Sequence, residues 1–294
     1  MPEKLPIHRI PDFATARALT KGFYIADIQL HGQKHDFIQV PHKHDFYLLL
    51  YISQGQGTHT IDFTPYPLQP GSVFFLTPGQ VHTWDLPPDA QGTLLFFSQE
   101  FYHKSTMAEQ LRQLPFFRAW QNPPVLYASV QDLQPAEALL QQLQQEYATP
   151  ALYQPDALRA YLDLLLIQLA RLYPATASLH EGNNWPFQLY QLETLVEQHY
   201  REHQPVGFYA QELHLSAKYL NELCKQNLGK TITDLLKGRL ILEAKRLLTH
   251  SPHLTIAQVA DFLGFDDNSY FSRFFKKEAG LTPDQFRHRE HTAL

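Results

Sequence analysis

Polar residues crowd into the segment NSYFSRFFKK, where Asn268, Ser269, Ser272, Arg273, Lys276 and Lys277 fall close together. Arginine and asparagine pair with the edges of guanine and adenine, and lysine neutralises phosphate. Between them Tyr270, Phe271, Phe274 and Phe275 recur at helical spacing and are expected to form the buried face of the same helix. Far upstream, His42, His44 and His82 offer a different chemistry. Neutral imidazole is a good ligand for iron, zinc, nickel and copper, and three histidines suffice to hold a zinc ion. A nucleic-acid reader and a metal centre make different demands, so the elements that position these side chains decide what the chain does.

Residues 255–287 read as a helix, a tight turn and a second helix. Thr255 and Gln258 have the spacing of a capping box, and Ile256, Val259, Ala260 and Leu263 then fall on one apolar stripe. Gly264 tolerates the positive φ of a sharp turn, Phe265 returns to the core, and Asp266 or Asp267 can accept the amide hydrogens that open the next helix. One such hairpin is equally well an ordinary amphipathic pair, but the pattern occurs twice. Ala210, Leu213, His214, Leu215, Ser216, Tyr219, Leu220 and Leu223 repeat it, with one extra residue in the second turn, and both copies run on into Lys and Gly at 225–229 and 276–280. Between the copies, Ile232, Leu235, Leu236, Leu240, Ala244, Leu247 and Leu248 keep a helical period, so a continuous helix over 231–249 is expected to fix their separation. Two recognition helices about one DNA turn apart, roughly 34 Å, enter successive major grooves on one face of a duplex.

Over IAQVADFLGF, SYFSRFFKK and GLTPDQFR the sequence resembles the signature of the AraC/XylS family of transcription regulators. The resemblance implies a seven-helix DNA-binding unit, usually C-terminal, behind a sensor and dimerisation domain. Aligned on that pattern, Lys218, Asn221 and Glu222 in the first recognition helix and Asn268, Ser269, Ser272 and Arg273 in the second face the bases. Lys225, Lys276 and Lys277 are expected on phosphate. Glu222 departs from the family's basic residue there: it can accept from cytosine but is repelled by phosphate. The second unit is therefore expected to carry more of the specificity. A surface ion pair of Arg273 with Asp266 or Asp267 is the structural alternative.

The first hundred residues change period. Segments 37–40, 46–53, 57–63, 72–76 and 93–98 are short, aromatic and β-branched, and are separated by Pro, Gly, Asp and Gln, which predicts an all-β barrel or sandwich. Within them PHKHDFYLLLYISQGQG and PGSVFFLTPGQVHTW resemble the paired motifs of the cupin superfamily, His42, His44 and Gly55 fitting the first and Gly71, Gly79 and His82 the second. Metal-binding cupins place a glutamate where this chain has Leu48, and Thr77 replaces a proline. The histidines are therefore read as polar lining of an organic-ligand pocket, with His42, His44, Tyr47, His59, His82 and Trp84 as ligand-binding residues, Tyr51 and Phe74 beside them, and neither metal nor other cofactor assigned. The competing reading is a metal-dependent cupin enzyme, an oxygenase or isomerase, with a helical accessory domain.

After Gln99 the pattern turns helical, at 107–120, 135–147 and 157–173. The last carries Leu158, Tyr161, Leu162, Leu165, Leu169 and Leu172 on one face, widened by Leu164, Leu166 and Ile167. Such a helix needs two apolar partners, and the second is either a partner subunit, which makes Leu158, Leu162, Leu165 and Leu169 the candidate seam of a homodimer, or the rest of its own subunit. The polar stretch 174–184 reads as a linker. The expected architecture is α+β: a cupin-like β-barrel with accessory helices over 1–175, a linker over 176–188, and an all-α double helix-turn-helix domain over 189–294.

The chain carries 24 Lys and Arg against 29 Asp and Glu. The acidic excess is N-terminal, where residues 1–194 have 11 basic and 17 acidic side chains and residues 195–294 have 13 and 12. Phosphate attraction must come from local clusters rather than from an overall field. The single cysteine, Cys224, sits among core positions and is expected to be buried and inert. Neither a signal-peptide core nor an apolar run long enough to span a membrane is visible, which places the protein in the cytoplasm with double-stranded DNA and a small-molecule effector as partners.

Overall fold

The computed structural model describes residues 7–13, 20–34, 40–87, 89–105, 107–108, 111, 114–117, 122–173 and 185–293. The chain divides into two compact units, residues 6–178 and residues 179–294.

The first unit opens with β1 (Ile7–His8), α1 (Ile10–Phe13), β2 (Phe23–Asp27) and α2 (Ile28–Lys34). A run of strands follows: β3 (His42–His44), β4 (Tyr47–Gln54), β5 (Gly57–Ile61), β6 (Thr64–Leu68), β7 (Ser72–Leu76), β8 (Val81–Asp85) and β9 (Gln91–Phe97). The unit closes with α3 (Gln99–Tyr102), β10 (Val125–Tyr127), α4 (Val130–Ala148) and α5 (Gln154–Leu172). The strands form two five-stranded sheets, ordered β1-β3-β8-β5-β6 and β10-β7-β4-β9-β2. All the pairings are antiparallel except β1 with β3.

β4 explains the layering. Its run YLLLYI is apolar without alternation because both faces of the strand are covered. Leu48, Leu50 and Ile52 point to the first sheet and pack with Phe74, Leu76, Leu94, Phe96, Ile61 and Trp84. Tyr47, Leu49 and Tyr51 point the other way and pack with Val73, Phe75, Leu95 and Phe97 under α4 and α5. Leu158, Leu162, Leu165 and Leu169 of α5 belong to that second core and are at most 1% exposed. This corrects the expected dimer seam. The second apolar partner of α5 is the outer face of the sheet together with α4, inside the subunit, and what α5 leaves outside is Leu164, 49% exposed, and the half-buried Ile167.

Other expectations shift at their edges. α4 begins not at Pro135 but at Val130, because Ser129 caps it by accepting from the Asp132 amide at 3.1 Å, and Pro135 sits inside the helix. Of the helix expected over 107–120, the described part shows 3-10 conformation at Ala108, at Leu111 and at Pro115–Phe117, and much of the rest lies outside the described residues. The strand expected over 37–40 also falls largely outside them, as does the stretch 174–184.

The second unit holds seven α-helices among the described residues: α6 (Trp185–His199), α7 (Val206–Glu212), α8 (Ala217–Leu228), α9 (Ile232–His250), α10 (Ile256–Phe262), α11 (Asn268–Ala279) and α12 (Pro283–Ala293). α6 starts within the stretch assigned to the linker. α9 is the joining helix. Thr231 caps it in a capping box with Asp234, and its buried Arg239 pairs with Glu197 of α6 at 2.7 Å and with its own Glu243 at 2.9 Å. At about 1.5 Å per residue its 19 residues span roughly 28 Å.

Candidate functional site

In the sensor unit the register of the first sheet gathers the histidines. His42 on β3 stands opposite His82 on β8, and His59 on β5 faces Trp84, two residues along β8 from His82. His44 lies two residues along β3, opposite His8 of β1. Alternation puts all five on the face turned to the second sheet. There His44 stacks on Phe46 at 4.4 Å and His59 meets Phe74 at 4.6 Å. His42, His44, His59 and His82 are buried, and burial first, then neighbouring imidazoles, disfavours their charged forms. His42 is pushed down to about 4 and His59 to about 3, with His44 and His82 also well below the ordinary range. These are neutral rings in an aromatic wall.

Beside them lies a cavity of about 750 Å³ lined by Ile28, Gln29, Gly32 and Gln33 of α2, by Thr58, Thr60, Thr83, Trp84 and Asp85 of β5 and β8, and by Leu86, Pro87 and Ala90. Trp84 is the shared wall, its ring 5.3 Å from His82 and 5.6 Å from His59. Of the residues expected to bind ligand, His42, His44, His59, His82 and Trp84 are brought together. Tyr47 is not, because it is an odd-numbered residue of β4 and faces the helices, stacked on Phe97 at 5.1 Å. Tyr51 follows it for the same reason. The cavity's threonines and glutamines escaped sequence reading, since Thr58 and Thr60 alternate with His59 and so look like solvent positions.

In the helical unit the two helix-turn-helix copies are equivalent in detail. Leu215 donates to the Ala210 carbonyl at 2.8 Å and Phe265 to the Ala260 carbonyl at 3.0 Å, each closing its turn. The turn residue is His214 in one and Gly264 in the other, both with positive φ, 55° and 77°. Ser216 caps α8 by accepting from Tyr219, and Asp267 caps α11 by accepting from Ser269. On α8 Lys218, Glu222 and Lys225 are exposed. Asn221 is corrected: it is half-buried and its Oδ1 accepts from the Ile232 amide at 3.3 Å, so it braces the start of α9 instead of facing outward.

On α11 Asn268, Ser269, Arg273, Lys276 and Lys277 are exposed and Ser272 half-buried, while Phe271 and Phe275 form the core. Arg273 is 73% exposed and its Nη2 stands 4.0 Å from Asp267, a contact too long and too wet to hold it. Tyr270 was expected in the core and is 56% exposed. The matching Tyr219 of α8 is 39% exposed, so each recognition helix presents a tyrosine that the aromatic count assigned to packing.

The fold and the two sites define a one-chain regulator, a ligand-binding β-domain followed by a DNA-reading helical domain. A family model described as an AraC-like ligand binding domain matches residues 23–180, and one described as a helix-turn-helix domain matches residues 209–289. The chain belongs to the AraC family, and it is a ligand-responsive, sequence-specific DNA-binding transcription regulator. It is similar to the HTH-type transcriptional activator RhaR of Yersinia pestis, 26% identical over 253 residues and 85% of each chain. It is also similar to the arabinose operon regulatory protein of Salmonella typhimurium, 26% identical over 287 residues and 95% of each chain. Among solved structures, ToxT from Vibrio cholerae covers 91% of this chain and 98% of its own at 14% identity, with a TM-score of 0.46. No helix among the described residues is long and apolar enough to cross a membrane.

Proposed function

We propose that this regulator is a cytoplasmic homodimer that activates transcription when a small polar molecule occupies the sensor unit, and that it reads its operator chiefly through α11. The reading is supported above all by the paired recognition helices. Both are capped and packed in one unit, and α11 alone offers Asn268 and Arg273 together on its N-terminal half, the part that enters the major groove. α8 offers Lys218 and Glu222, with Asn221 turned to the joint.

Selection of binding sites by the full chain from a random duplex pool tests it. Two short blocks about one helical turn apart should emerge, the block under α11 carrying the stronger preference. Equal preference in both blocks, or no enrichment at all, contradicts the reading.

The effector's chemistry is read from the cavity. Hydroxyl and amide side chains from Thr58, Thr60, Thr83, Gln29 and Gln33, with Asp85 as an acceptor and Trp84 as a flat wall, suit a small polyhydroxylated molecule. The relative named for the arabinose operon points in the same direction. A thermal-shift panel of sugars and sugar acids should give a hit that Trp84→Ala abolishes. On this reading the dimer contact would use Leu164 and Ile167, the apolar residues that α5 leaves on its outer strip. Activation follows the name of the Yersinia relative.

A further inference from the structure

A single exposed aromatic ring is ordinary on a protein surface and needs no explanation. The same ring at the same place in both copies of a repeated unit is a different observation. Tyr219 is the third residue of α8 and Tyr270 the third of α11, counted from the capping residues Ser216 and Asp267. Tyr219 is 39% exposed and Tyr270 56%. The Tyr270 ring leans on Phe265 of the turn, with 5.9 Å between centroids, which keeps it beside the first turn of the helix. Neither hydroxyl has a hydrogen-bond partner among the described residues.

We propose that Tyr219 and Tyr270 are a matched pair of uncharged clamps, each donating its hydroxyl to one phosphate of the operator. Their place on the helix carries the assignment. One residue advances about 100° around a helix, so Tyr270 lies about 60° from Arg273, about 100° from Ser269 and only about 20° from Lys277, two turns on. It therefore shares the flank of Lys277, which meets the groove wall where the phosphates stand, while Ser269 and Arg273 point further round to the base edges. On α8 the same flank carries the exposed Gln226 where α11 carries Lys277, so the tyrosine is what the two helices have in common there. Charge points the same way. Residues 179–294 carry 13 basic and 14 acidic side chains, so the unit has no basic excess to draw a duplex in. A phenol is a phosphate donor that brings no charge.

Such a contact fixes register and carries no sequence information. It also displaces no counterion, so the clamps hold at salt concentrations that weaken the lysines. Because the two copies are equivalent, the two phosphates lie about one helical turn apart, roughly 34 Å.

The test titrates the full chain, Tyr219→Phe, Tyr270→Phe and the double variant against the duplex that the full chain enriches from a random pool. Phenylalanine keeps the ring and removes only the hydroxyl, and an unchanged urea midpoint checks the fold. Each single variant should bind about threefold to tenfold more weakly, the worth of one hydrogen bond exchanged with water, and the double variant by the product of the two losses. The base preferences and the salt slope should stay as in wild type, whereas Lys276→Ala lowers the slope. Methylphosphonate placed at one phosphate at a time should reveal two positions about one turn apart where wild type loses affinity and the matching phenylalanine variant loses no more. Phenylalanine variants that bind as tightly as wild type overturn the clamps, and so does a base preference that changes with them. A loss in Tyr219→Ala or Tyr270→Ala that tracks replacement of one thymine by deoxyuridine also overturns them, in favour of rings resting on thymine methyls. The phosphate contact should be lost equally on a duplex of random sequence at low salt, so the result is readable whether or not the operator selection succeeds.

Discussion

At the scale of single residues, Arg273 and Lys276 share one helix but are expected to do different work. Arg273 is exposed on the N-terminal half of α11, with only a 4.0 Å contact to Asp267 to hold it. Arg273→Ala should cost about 1–3 kcal/mol on the selected operator and flatten the preference at one base pair, whereas Lys276→Ala should weaken all sequences alike and lower the salt slope by about one. Titrating both variants against every single-base change of the operator separates them; an unchanged profile for Arg273→Ala removes its base-reading role. Cys224 illustrates the opposite case, a residue whose chemistry is switched off. Burial pushes its thiol up to about 11, so at pH 8 only about one molecule in a thousand carries a thiolate. A thiol reagent should label it at the rate of unfolding, and rapid labelling of native protein would show that α8 opens. The exposure of Arg273 and the burial of Cys224 could be read from the sequence because most polar and apolar residues on α8 and α11 separate at helical spacing, Tyr219 and Tyr270 being the exceptions. Asn221 could not, because its oxygen is engaged by an amide eleven residues on, and pairing across a helix joint leaves no trace in periodicity.

At the scale of elements, the turn of the second helix-turn-helix copy allows a sharp comparison. Gly229 and Gly264 both sit at positive φ, 66° and 77°, where any side chain is strained by about 1–2 kcal/mol. A Cβ on Gly229 meets nothing within 4 Å, but one on Gly264 would lie 2.0 Å from the Arg201 carbonyl oxygen. Gly264→Ala should therefore lower the urea midpoint of the helical unit well beyond Gly229→Ala. Equal losses would mean that the Arg201 backbone yields freely. The same logic of faces governs α5. Leu162→Glu places a carboxylate in the core and should unfold the sensor unit, at several kcal/mol. Leu164→Glu should leave it folded and yield a monomer in sedimentation; a dimer that survives would move the interface off α5. The sequence showed that α5 is apolar on more than one side, yet not which side the subunit keeps. That depends on β4, whose unbroken run YLLLYI announces burial but hides its two faces. The same ambiguity misplaced Tyr47, while the histidines were legible because HKH alternates and its partner positions are spaced by a turn.

At the scale of the whole molecule, two compact units of different construction share one chain, and mass action distinguishes them without any knowledge of how they communicate. A ligand that binds only the folded form stabilises its own unit by RT ln(1 + [L]/Kd), about 2.7 kcal/mol at a hundredfold excess over Kd. For a unit of the size of residues 179–294 that raises its midpoint by roughly 8–15 °C. Calorimetry of the full chain should then show two transitions, and the selected operator duplex should move one of them by that amount. The other should move only by the coupling energy between the sites, typically about 1–3 kcal/mol. A sugar hit from the thermal-shift panel should reverse the pattern, moving the sensor transition most. Because coupling is reciprocal, the factor by which the effector changes operator affinity must equal the factor by which the operator changes effector affinity. Net charge sets the conditions: the helical unit, residues 179–294, has 13 basic and 14 acidic side chains, so operator affinity at physiological salt rests on a few lysine contacts and the experiment belongs at low salt. One cooperative transition that both ligands move alike would sink the picture of a sensor unit and a DNA-binding unit that fold separately.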